Sequence, residues 1–132
     1  MTTPAHTWNE RRNGSARRSR VTVGVLWALQ IFSAALFLFA GVSKLSGVPA
    51  MVQTFAVIGI GQWFRYMTGT VEVVSAVLLL IPSVASYGAA ALAVTMIGAI
   101  ITHLFVIGGN PAMPIVLLAS TSVIAWARRS GG

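Results

Sequence analysis

Residues 21–44 read VTVGVLWALQIFSAALFLFAGVSK, and residues 21–41 of this stretch contain no charged side chain. An α-helix rises about 1.5 Å per residue, so this uncharged segment extends roughly 31 Å, the thickness of the hydrocarbon core of a bilayer. Residues 21–41 are therefore predicted to form a transmembrane helix. Lys44 follows directly after its end.

The composition of the whole chain also indicates a membrane protein. Hydrophobic residues make up 56% of the 132 residues and charged residues only 8%, which is outside the range of soluble domains. Most of the net charge of +7 comes from arginines near the two ends, a distribution that argues against a nucleic-acid partner. Cysteine is absent, which excludes thiolate chemistry and iron–sulfur ligation by this chain.

Three further apolar segments are predicted to span the membrane. They run from the aromatic residues near position 63 to about residue 81, over residues 84–107, and over residues 115–126 with room for extension at both ends. Between the first two spans, a pattern of about ten residues begins at Pro49 and ends at Gly59, too short to cross a bilayer. We therefore predict an all-α, polytopic membrane four-helix bundle with a short interfacial or re-entrant helix between spans 1 and 2.

The charges outside the spans predict the domain organisation and the topology. Residues 1–20 are expected to be a disordered basic cytoplasmic tail, residues 21–127 a four-span membrane domain, and residues 128–132 a second cytoplasmic tail. Seven arginines lie near the termini, against Lys44 and Arg65 on the other side, so the positive-inside rule places both termini in the cytoplasm of a cell-membrane protein. Trp63, Arg65 and Tyr66 are predicted to anchor the second span at headgroup depth.

Glu72 is an acidic residue inside a predicted span, where a charge costs about 2.5–3.5 kcal/mol on insertion scales. Thr68 and Gly69 lie four and three residues before it, and Ser75 and Ala76 follow at the same spacings. This small and polar stripe indicates that Glu72 points into the bundle.

Two other spans carry matching stripes. In the first span, Gln30 and Gly41 lie on the face that leads to Lys44, and in the third span Thr95 precedes His103 at helical spacing. The topology puts the three ionisable groups in the outer half of the bundle, so Lys44, Glu72 and His103 are expected to form one cluster. That cluster is either a buried ion pair that fixes helix register or a proton-titratable pocket for a small ligand. One histidine and one carboxylate are too few for a metal site, so none is predicted.

The glycine and lysine of FLFAGVSKLSG (residues 37–47) and the glycine, glutamate and proline of GTVEVVSAVLLLIP (residues 69–82) resemble the DoxX-like family. The resemblance extends from about residue 21 to residue 127. It implies a small four-helix membrane protein, related to the membrane subunit of a thiosulfate:quinone oxidoreductase and to proteins found beside oxidoreductases.

Three interpretations follow for the function. The first is a membrane subunit or anchor for a redox protein partner, with no intrinsic cofactor and with a pocket for a quinone lined by Lys44, Glu72 and His103. The second is a small proton-coupled transport or ligand-binding protein, in the form of a homo-oligomer. The third is a purely structural membrane protein. Acting alone, the chain is not expected to be an enzyme, because it has no residue that stores electrons.

Overall fold

The computed structural model describes the backbone of residues 5–129 and the side chains of residues 19–129. Over these residues the chain is all-helical without a strand, as predicted. Its helices are α1 (Ala5–Ser46), α2 (Pro49–Ile58), α3 (Trp63–Leu79), α4 (Ala85–Thr102) and α5 (Ala112–Ala127). A π-helical turn (His103–Ile107) continues α4, so the two together cover the predicted third span.

Helix α1 is longer than predicted. It begins at Ala5 and has 42 residues, so residues 5–20 form a helical backbone instead of the disordered tail expected from their polarity. Arginine is a good helix former, and extending a helix costs far less free energy than nucleating one. The helix of the first span therefore propagates back into the basic segment. Residues 1–4 of the predicted tail lie outside the described residues.

Helices α1, α3, α4 and α5 pack in a ring around an apolar core. Helix α1 contacts α3, α3 contacts α4, α4 contacts α5, and α5 returns to α1. The core consists of buried apolar side chains from all four helices, namely Ala34, Phe37, Ala76, Leu79, Ala89, Leu92, Met96, Leu117 and Ile124. We call the two ends of the ring the Lys44 end and the Gln30 end, after the residues that α1 contributes to each.

Two glycines bring α1 and α3 into backbone contact near the Lys44 end. A Cβ atom added to Gly41 would lie 2.6 Å from Val73 Cγ2 and 2.9 Å from the carbonyl oxygen of Gly69. A Cβ atom added to Gly69 would lie 3.0 Å from the carbonyl oxygen of Gly41 and from Lys44 Cβ. Both positions therefore require glycine, as in the close crossings of membrane helices.

Helix α2 is the short helix predicted between the first two spans. Pro49 lies in its first turn, where a missing N–H costs nothing, and Gly59 ends it in the left-handed conformation with φ of 87°. Its 10 residues cannot cross a bilayer. Helix α2 lies against α1, α3 and the π-helical turn. Its location in the membrane interface stays a prediction.

Within the part of the chain that the structure describes, two helical segments are long and apolar enough to cross a membrane. They are Ser19–Ser46, with 28 residues and a mean hydropathy of 2.1, and Ala85–Ile107, with 23 residues and a mean hydropathy of 2.3. Large hydrophobic side chains are exposed on the ring, such as Phe39 at 76% and Val94 at 70%. An apolar surface of this kind suits a lipid environment better than water.

A buried polar bridge joins three helices at the Gln30 end. Gln30 is fully buried, its Nε2 donates to the carbonyl oxygen of Leu79 (2.6 Å), and its Oε1 accepts from Arg128 Nε (3.0 Å). Arg128 was expected to begin a tail, yet it is only 5% exposed because it packs back onto α1. Gln30 was expected to support the cluster around Lys44, but it lies at the opposite end of the ring. Residues 130–132 lie outside the described residues.

Candidate functional site

Lys44 and Glu72 meet as the sequence predicts. Lys44 Nζ lies 3.1 Å from Glu72 Oε2, with the side chain of Lys44 15% exposed and that of Glu72 3% exposed. Each residue follows a crossing glycine, Gly41 or Gly69, by three positions, so the close approach of α1 and α3 brings the two side chains together. A carboxylate buried to this degree depends on its cation, because breaking such a pair costs several kcal/mol.

Arg65 is buried and stabilises the end of α1, and its predicted role as an interface anchor is not tested by this contact. The residue is only 5% exposed, its Nη1 donates to the carbonyl oxygen of Lys44, and its Nε donates to Gln62 Oε1 (2.7 Å). The last carbonyl groups of a helix lack helical partners, and Arg65 supplies one. Trp63 and Tyr66 are 59% and 50% exposed, and their role as interface anchors stays a prediction.

A cavity of about 520 Å³ opens beside the ion pair and is lined by residues of all five helices and the π-helical turn. This volume is in the range of small-molecule binding sites. Half of the apolar lining residues are aromatic or contain a thioether, namely Phe37, Phe55, Phe64, Met51, Met67, Met96 and Met113. Both kinds of side chain pack well against planar rings.

Four threonines add hydroxyl groups to the cavity, and each is bonded within its own helix. Thr54, Thr68, Thr95 and Thr102 donate to the carbonyl oxygen four residues earlier, at 2.8, 2.8, 2.9 and 2.8 Å respectively. Thr68, predicted to support the cluster, is therefore at the site. The other three were not among the predicted site residues.

His103 lines the same cavity but does not join the ion pair directly. It is the first residue of the π-helical turn, and its Nδ1 lies 2.8 Å from the carbonyl oxygen of Ala99. Among the described residues no hydrogen bond links it to Lys44 or Glu72. The predicted cluster of three is therefore an ion pair and a histidine that share a cavity. Helical spacing identifies the face that carries His103, but the local bond to Ala99 decides where its ring points.

The sequence-based prediction missed most of the cavity lining. Helix α2 supplies four lining residues, Met51, Thr54, Phe55 and Ile58, and it was predicted as an interfacial or re-entrant helix without residues of the site. One signal was present: every methionine of the chain other than Met1 lines this cavity. Methionine is a common lining residue of adaptable binding sites, but its position in sequence does not show that four of them converge.

A family model described as the DoxX-like family matches residues 28–125. The chain belongs to the DoxX-like family. The matched residues of this DoxX-like protein include the crossing glycines, the ion pair and His103, and they exclude Arg128. No curated protein and no solved structure matches the chain. Membership in the DoxX-like family and the two long apolar helices together indicate a membrane protein.

Proposed function

We propose that this DoxX-like protein crosses the cell membrane four times and binds a small ligand of the quinone class in the cavity beside Lys44 and Glu72. The observation that carries the proposal is that a buried ion pair lines a cavity of about 520 Å³ with a ring-compatible apolar lining. An ion pair that only fixed helix register would need no cavity beside it. A pocket that is mainly apolar with a few convergent polar groups is typical of ligand sites.

The residues of the cavity fit a quinone head group. A quinone is a planar ring with two carbonyl oxygens; Lys44 can donate to one of them, and the phenylalanine and methionine side chains can pack on the ring faces. A bound quinone would supply two-electron redox chemistry. The chain's own residues would bind and orient the ring, and Lys44 and Glu72 would hold a proton beside it.

The electrons would come from another protein, which makes this chain a membrane subunit or anchor for a redox partner. This proposal rests on the sequence, which contains no cysteine and no recognisable nucleotide-binding motif. We further propose that α1, α3, α4 and α5 are the four spans and that both termini are cytoplasmic. This topology places the Lys44 end, with its cavity, in the outer half of the bilayer.

Mass spectrometry of the tagged protein, purified in mild detergent from its native membrane, tests the proposal. Wild type should carry a quinone-class ligand, oxidised or reduced, and a redox protein, and Glu72→Gln or Thr68→Val, which change the cavity lining, should lose that ligand. Thr70→Val is the matched control, because Thr70 makes the same bond to its own helix (2.8 Å to Tyr66 O) but does not line the cavity. A wild-type protein without a small molecule or a redox companion would support the structural interpretation instead.

A further inference from the structure

The hydrogen bonds around the cavity determine what its polar groups can offer to a ligand. A threonine hydroxyl has one hydrogen to donate and two lone pairs that accept. All four threonines that line the cavity use that hydrogen on a backbone carbonyl of their own helix. They therefore present only acceptor lone pairs to a ligand.

His103 also donates to a backbone carbonyl oxygen. A carbonyl oxygen only accepts, so the bond from Nδ1 to Ala99 O requires the hydrogen of the neutral imidazole to be on Nδ1. The nitrogen left for a ligand is then Nε2, which accepts. The carboxylate of Glu72 also accepts, and it already receives a bond from Lys44. Among the described side chains of the cavity lining, Lys44 is the donor that remains, with two ammonium hydrogens beyond the one that it donates to Glu72.

Donor and acceptors belong to different helices. Lys44 is on α1, whereas α4 and its π-helical extension supply Thr95, Thr102 and His103. Gly98 lies between these acceptors on the same wall, and a Cβ atom added there would meet nothing within 4 Å. A ligand in this cavity thus meets a cation from α1 and a row of lone pairs from α4.

We infer that the cavity selects a ligand that donates hydrogen bonds, so that it binds the reduced dihydroxy form of a quinone, the quinol, more tightly than the oxidised form. This inference rests on the proposed function and specifies the redox form of its ligand. One quinol oxygen accepts from Lys44, and the hydroxyl hydrogens satisfy the acceptors of α4. The lone pairs of α4 belong to half-buried residues. An oxidised quinone has only acceptor oxygens, so away from Lys44 it would cover these lone pairs without donating to them, which is unfavourable.

Titration calorimetry on the full chain in detergent, under anaerobic conditions, tests the inference with three probes of one shape. The probes are a short-chain benzoquinone, its hydroquinone, and the dimethyl ether of that hydroquinone. The hydroquinone is expected to bind about tenfold more tightly than the quinone, since one good hydrogen bond is worth up to about that factor. The dimethyl ether, which cannot donate, should bind no better than the quinone.

Two results would overturn the inference, and they differ in what they say about the proposed function. Equal or tighter binding of the oxidised form would remove the preference while leaving the quinone-class site in place. Failure of all three probes to bind would remove the site itself.

Valine variants test whether the side chains of α4 cause the preference for the hydroquinone. Thr95→Val and Thr102→Val keep the side-chain shape but remove the acceptor lone pairs, and so should weaken hydroquinone binding and reduce the preference for the hydroquinone over the quinone. Thr70→Val, outside the cavity, should change neither affinity. An equal loss for both redox forms in the α4 variants would show that shape and not hydrogen bonding is recognised, and would overturn the inference.

Discussion

Glu72 is buried beside one cation, and its charge depends on Lys44 for compensation. Replacing Lys44 with methionine keeps the apolar stem and removes the ammonium group, which leaves a carboxylate that is 3% exposed without its counter-ion. Breaking a buried pair in this way costs about 3–5 kcal/mol. We expect Lys44→Met to lower the free energy of unfolding in mixed micelles by this amount.

The double variant Lys44→Met/Glu72→Gln provides the internal control for that prediction. Removing both charges leaves no isolated carboxylate, so most of the lost stability should return. Ser43→Ala, at a half-buried neighbouring position whose hydroxyl donates to Phe39 O within the same helix, should be close to neutral. If Lys44→Met is as stable as wild type, the ion pair contributes nothing to the fold.

For individual residues, the sequence predicts only the properties that follow from spacing along one helix, such as which side chains share a face. Lys44 and Glu72 could be paired because each lies on a stripe of small and polar residues and the predicted topology puts both in the outer half of the bundle. Gln30 lies on the same stripe of α1 as Gly41 and Lys44, but its partners, Leu79 O and Arg128, lie at the opposite end of the ring. A stripe identifies the inward face of a helix and says nothing about depth along it.

At the crossing of α1 and α3, two glycines allow the helix backbones to touch. Gly41→Ala would place a methyl group 2.6 Å from Val73 Cγ2 and 2.9 Å from a backbone oxygen, so the helices must separate. Overpacking of this kind costs about 1–3 kcal/mol. We expect a loss of that size in unfolding experiments, and weaker binding at the adjacent cavity.

Gly24→Ala is the matched control because Gly24 lies in the same helix and a Cβ atom there meets nothing within 4 Å. Alanine favours helix over glycine by up to about 1 kcal/mol, so this variant should be neutral or slightly stabilising. Equal effects at Gly24 and Gly41 would contradict the close crossing.

Helix bounds could be predicted where a local signal exists, as for α2 between Pro49 and Gly59. The start of α1 could not be predicted. The polarity of the segment favoured a disordered tail, but its backbone continues a helix that the first span has already nucleated. The cavity could not be predicted either. Its lining comes from every helix, so its existence depends on how the helices pack and not on any single segment.

The membrane topology of the whole molecule can be tested directly, since the chain has no cysteine. Single cysteines are introduced at Ser83, between α3 and α4, and at Asn110, between the π-helical turn and α5; both positions are exposed. With cytoplasmic termini, a membrane-impermeant maleimide added to intact cells should label Asn110→Cys and leave Ser83→Cys unlabelled until the cells are lysed. Labelling of both in intact cells would contradict the four-span topology.

The bridge at the Gln30 end makes a second prediction for the whole molecule. Gln30→Leu removes the bonds to Leu79 O and Arg128 in a fully buried setting, at a cost of about 1–3 kcal/mol. Thermal unfolding in detergent should show this loss, whereas Gln53→Leu, at an exposed position of α2, should not. Unchanged stability of Gln30→Leu would mean that the bridge does not hold the ring together.

The same bridge links the fold to the order in which the chain is made. Gln30 belongs to the first long helix, yet its partners follow 49 and 98 residues later. At a synthesis rate of about 5–20 residues per second, the amide waits roughly 2–10 s for the first partner and roughly 5–20 s for the second. A buried amide in hydrocarbon needs substitutes during that interval, from water, headgroups or the insertion machinery. The bridge at the Gln30 end is therefore complete only after a residue 98 positions beyond Gln30 has been made.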